Sequence, residues 1–127
     1  MPHLHSYDSR KTVDPAVFSN RWQGLHRIGQ EIGAMAALAE EPLDEELSSF
    51  PERIAQRGGP YLTLANEGAE DLDAILQPGL TALRTIRARG QDTTAPALAL
   101  WREFHALRSA LLNLASEPAI ASADVPA

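Results

Sequence analysis

Histidine and carboxylate side chains are the groups in this chain whose spacing could support metal or proton chemistry. There are four histidines, His3, His5, His26 and His105, and no cysteine. Helical bundles that hold paired metal ions use Glu-x-x-His, because residues three apart on a helix converge on one cation. That spacing does not occur here. His3 and His5 with Asp8 could bind a metal adventitiously, in a stretch that reads as a solvated terminus. The acids of Glu40-Glu41-Pro42-Leu43-Asp44-Glu45-Glu46 lack the alternate placement around a glycine turn that calcium loops require. They read instead as a solvated helix start favoured by the helix dipole. No metal and no cofactor is expected. Acyl transfer, proton abstraction and hydrolysis each need a placed nucleophile, base or metal, and no such set stands out. The chain is expected to be non-enzymatic.

Two other groupings could bind rather than react. Arg84, Arg87 and Arg89 could grip a phosphate or an acidic partner through their guanidinium forks; complementing the dipole at a helix C-terminus explains them more simply. Gly29-x-x-x-Gly33, followed by Ala36 and Ala37, makes a smooth strip on which a neighbouring backbone or a flat ligand can lie. Arg27, Gln30 and Glu31 interrupt it, so the dimerisation such spacing supports in a bilayer does not transfer. Candidate residues for an apolar ligand site are Trp22, Gly29, Gly33 and Trp101.

His26 offers a third possibility. The run His26-Arg27-Ile28-Gly29-Gln30-Glu31-Ile32 resembles the phospho-acceptor helix of one class of histidine-kinase dimerisation domains, where His-Arg-Val precedes a polar residue, an Asn and an aliphatic. Gln30 stands where that family has Asn, and Gly29 where Lys is common. The resemblance implies that His26 would accept the phosphoryl group and that helical hairpins would pair into a bundle. Heptad position places His26 beside the stripe of Trp22, Leu25 and Gly29, partly exposed and within reach of a partner's Asp.

The elements that must position these groups follow from apolar periodicity. Asp14-Pro15 is a cap followed by a tolerated first-turn proline. From there Phe18, Trp22, Leu25, Gly29, Ile32, Ala36 and Ala39 form one stripe, ended by Glu40-Glu41-Pro42. Leu43, Leu47, Phe50 and Ile54 form a second, with Pro51 inside it and Ser49-Phe50-Pro51-Glu52 matching a capping box, which predicts a short or broken helix. Gly58-Gly59-Pro60 makes a turn. Leu62, Ala65, Ala69, Leu72, Leu76, Leu80, Leu83 and Ile86 keep one register across Pro78, predicting a long helix kinked there and closed by Gly90. Thr93 or Thr94 can cap the last helix, with Ala97, Trp101, Phe104, Leu107 or Arg108, Leu111 and Leu114 inward.

The spacing thus predicts helices over about 15–39, 43–57, 60–89 and 95–116, packed as an all-α antiparallel four-helix bundle. One helical domain over 14–116 is expected, with a flexible segment 1–13 before it and a disordered tail 117–127 after it.

Composition narrows the function classes. At 127 residues, 44% hydrophobic and 22% charged, the chain has the make-up of one ordinary globular domain with a largely aliphatic core. A net charge of −6 argues against nucleic acid and anionic membranes, whose affinity comes from Lys and Arg. The start Met1-Pro2-His3-Leu4-His5 has no basic and apolar leader, and no run approaches ~18 apolar residues. A soluble cytoplasmic protein is expected. The leading functional expectation is an interaction or accessory protein that binds another protein or self-associates, through a face around Leu43, Leu47 and Phe50. The alternatives are histidine phosphotransfer through His26 and a bundle that binds a small apolar ligand.

Overall fold

The fold is described from a computed structural model covering residues 13–116. The expectations for residues 1–12, with His3, His5 and Asp8, and for the tail 117–127 lie outside the described residues. Those described form four helices and no strand: α1 (Pro15–Met35), α2 (Glu45–Gln56), α3 (Gly59–Ala88) and α4 (Thr94–Ser116). Each helix touches the other three, which makes a bundle.

The ends of α1 follow from local chemistry. Asp14 caps its start, Oδ1 accepting from the Ala16 N–H at 2.9 Å. Its end comes at Met35, short of the expected Ala39, because Ala37 takes a left-handed φ of 61°. Leu38 N–H then reaches the Gly33 carbonyl at 2.9 Å and Ala37 N–H the Ala34 carbonyl at 3.1 Å, the pair of bonds that closes a helix in a Schellman turn. α3 closes in the same way, with Gly90 at φ 73° and Gln91 N–H on the Ile86 carbonyl at 3.1 Å.

α2 is short but unbroken. Asp44 caps it through the Leu47 N–H at 2.9 Å, and the helix continues through Pro51, so Ser49 to Glu52 is helix interior and not a start. α3 likewise runs through Pro78 as one element. At the head of α4 the Asp92 carboxylate accepts from the N–H and hydroxyl of Thr94, at 3.0 and 2.7 Å. Thr93, buried, sends its hydroxyl instead to the Met35 carbonyl at 2.9 Å and so ties α4 to the end of α1.

The predicted stripes meet in one buried cluster. Phe18, Trp22 and Phe50 pack ring against ring, with centroids 4.5 to 6.1 Å apart, and each such buried aromatic contributes roughly 1.5–3 kcal/mol. This corrects the expected partner-binding face: Leu47 is 5% and Phe50 0% exposed, both turned into the core, and only Leu43 of that trio faces out. Between helices, Arg84 donates from Nε and Nη2 to Glu31, both at 2.7 Å, which holds the Glu31 carboxyl below its usual range. Arg84 therefore joins α3 to α1 as well as sitting near a helix end. None of the described helices is long and apolar enough to cross a membrane.

Candidate functional site

The bare strip of α1 is covered by two rings of α4. A Cβ built on Gly29 would stand 2.6 Å from Phe104 Cε2, far inside van der Waals contact, so only glycine lets Phe104 lie there. A Cβ on Gly33 would meet the Trp101 ring at 3.4 Å. Beyond the rings the connection after α1 returns over the same strip, its direction set by the left-handed Ala37. Residues Leu38 to Leu43 thereby partly roof a cavity of about 170 Å³ between α1 and α4 that remains in part open to solvent. For scale, an apolar protein cavity of about 150 Å³ holds benzene.

Five polar side chains line this cavity among the apolar ones, His26, Gln30, Glu40, Glu41 and Arg108, and of these His26 and Arg108 are buried. His26, 7% exposed, has Nδ1 2.9 Å from the Trp22 carbonyl oxygen. A carbonyl only accepts, so Nδ1 carries the proton and Nε2 is left as a lone-pair acceptor. Nε2 is buried and has no hydrogen-bond partner. Burial pushes the His26 pKa below its ordinary value, and the Arg108 charge works in the same direction.

Arg108 lies within the bundle, its side chain 4% exposed, beside the Phe104 ring at 4.9 Å. Its Nη1 and Nη2 donate to the two oxygens of Glu41 at 2.9 and 2.8 Å, while Nε has no partner. Glu41 belongs to the roofing segment and its side chain is 38% exposed. The Arg108 hydrogen bonds hold its carboxyl below the usual range. The Coulomb gain is large because one partner is dry, and so is the desolvation cost of that partner.

The sequence-predicted candidates divide between two places. Gly29, Gly33 and Trp101 line the partly roofed cavity together. Trp22 is core, 2% exposed, and edges a more open second cavity that shares His26, Gln30 and Leu43 with the first. His26 lines both, but it is buried and not partly exposed as its heptad position suggested. Its ring packs against Trp22 and Phe104, with ring centroids at 4.8 and 6.0 Å. Glu41 and Arg108 were not read as a site from sequence. The available signal was a charged residue at an inward position of the last stripe, where a cation needs a counter-ion. Among the described residues no three His, Asp or Glu side chains cluster so as to hold a metal.

No family model matches the chain, and no curated protein and no solved structure matches it either. The site alone carries the functional argument.

Proposed function

We propose that this chain is a non-enzymatic binding protein that holds a small, mostly apolar molecule in the cavity partly roofed by residues 38–43. The observation that carries the reading is the cavity itself. About 170 Å³ lined by two glycines, Trp101 and Phe104, and open in part to solvent, is room enough for a small apolar body. The reading takes the bundle as antiparallel, because the connections at 57–58 and 89–93 are too short to carry the chain back to the far end.

The ligand is of the size of a substituted benzene or a short branched alkane. Titration with toluene and with benzyl alcohol, followed by tryptophan fluorescence and by calorimetry, tests this. Saturable binding that is lost in Gly33→Leu, whose side chain would occupy the cavity, supports the reading. Absence of saturable binding by either compound at millimolar concentration refutes it. The interaction-protein reading has no comparable support: the exposed large apolar residues among those described, Val17, Leu38, Leu43, Leu64 and Ile75, fall on three different segments.

A further inference from the structure

We propose that the cavity's ligand is a small monocarboxylate with an apolar body, and that Glu41 occupies the carboxylate's place on Arg108 until the ligand displaces it. This rests on the reading of the cavity as a ligand site.

The two members of the Glu41–Arg108 pair differ in how they are held. Arg108 sits on a helix, its side chain 4% exposed, against the Phe104 ring. Glu41 sits on the connection between α1 and α2, its side chain 38% exposed. Arg108 is therefore the fixed partner and Glu41 the movable one. A guanidinium this deep needs an anion in every populated state, since leaving it uncompensated is strongly destabilising. The empty protein supplies that anion from its own roof.

The geometry at Arg108 is that of a carboxylate receptor. Two parallel N–H···O bonds, at 2.9 and 2.8 Å, match a planar guanidinium to a planar carboxylate. Glu41 leaves one guanidinium nitrogen unserved, because Arg108 Nε is buried without a partner. Arg108 and Phe104 both line the cavity, as do Gly29, Gly33 and Trp101. A ligand whose carboxylate lies on Arg108 can place its apolar body beside those residues. Glu41, once released, returns to solvent from a partly exposed position at little desolvation cost. The exchange replaces a partly exposed carboxylate by one enclosed beside Arg108, where the ion pair is less screened, so Arg108 favours a charged ligand while the apolar body adds burial. A phosphate monoester fits less well, because its second charge would have no counterpart beside Arg108.

The full chain is titrated calorimetrically with benzoate and with its neutral near-isostere benzyl alcohol. Benzoate is expected to bind at least about tenfold tighter. Glu41→Gln removes the internal competitor, so the ratio of benzoate to benzyl alcohol affinity rises about tenfold. Arg108→Met abolishes the advantage of benzoate. Should Arg108→Met fail to fold, the thermal midpoint of Glu41→Gln decides: benzoate raises it more than it raises the native protein's, because it restores the missing anion. Benzoate binding no tighter than benzyl alcohol, or weakened relative to it by Glu41→Gln, overturns the proposal and leaves the cavity reading standing. If neither compound binds, the cavity reading falls and the proposal with it.

Discussion

The indole N–H of Trp22 donates to the Leu47 carbonyl oxygen at 2.7 Å, and Leu47 stands four residues before Pro51. In an α-helix that carbonyl would receive the N–H of residue 51, which proline lacks. A side chain from α1 thus supplies the donor that the α2 backbone cannot, and α2 continues through Pro51.

Trp22→Phe keeps a ring in the core but leaves the Leu47 carbonyl without that donor. The expected loss is about 1–3 kcal/mol in urea or thermal unfolding. Pro51→Ala restores a backbone N–H and should recover part of this loss in the Trp22→Phe background. A double-mutant cycle reads the coupling; strict additivity of the two changes would show that the indole does not serve that carbonyl.

Ala37 pays a conformational cost that glycine would not, since its φ of 61° crowds a Cβ. Ala37→Gly should stabilise the chain by roughly 1 kcal/mol and raise its midpoint by a few degrees. Gly90→Ala, at the matching position of α3, should do the reverse by a similar amount. Equal midpoints for Ala37→Gly and the native chain would contradict the assigned turn.

Gly29→Ala places a methyl 2.6 Å from a Phe104 ring atom. A loss of about 1–3 kcal/mol is expected, as for other overpacked sites. Phe104→Leu in the same chain should relieve much of it. Gly33→Ala, whose methyl meets Trp101 at 3.4 Å, should be tolerated far better.

Acid should weaken the fold in two steps. The His26 pKa lies below its ordinary 6.5 in the folded chain through burial. Below pH 6.5 the unfolded chain takes up a proton that the folded chain resists, so stability falls as pH drops from 6.5 toward the lowered value. The neighbouring charges are Arg108 from α4, which opposes protonation, and Glu41 from the roof, which favours it. The Glu41 pKa also lies below its ordinary 4.5, because of its Arg108 hydrogen bonds. Its contribution is present above 4.5 and is lost as pH falls through the lowered folded value. Urea unfolding from pH 7.5 to 5 should slope less in His26→Gln than in the native chain, and a parallel slope would remove His26 as the cause.

Much of the frame was legible because burial in a bundle follows helical period. Phe18, Trp22, Leu25, Gly29 and Ile32 of the first stripe, and all of the third from Leu62 to Leu83, are buried as spaced. The errors lie where a local rule was overridden at a distance. Pro51 reads as a break until Trp22 is brought to Leu47, and Ala37 gives no sign of a left-handed turn that glycine would have announced. In the site, Gly29, Gly33 and Trp101 could be paired from the stripes of α1 and α4. Glu41 could not, because an acid in a run of acids looks solvated, and its partner lies 67 residues away.

Chain order also decides when the cavity comes into being. Its α1 and roof walls lie between residues 26 and 47, while Trp101, Phe104 and Arg108 belong to the last helix. The contacts that close it, Thr93 to Met35 and Arg108 to Glu41, span 58 and 67 residues. During synthesis the Gly29–Gly33 strip therefore leaves the ribosome bare and stays bare until α4 follows. A nascent chain presents an open strip where the folded protein has a partly roofed cavity.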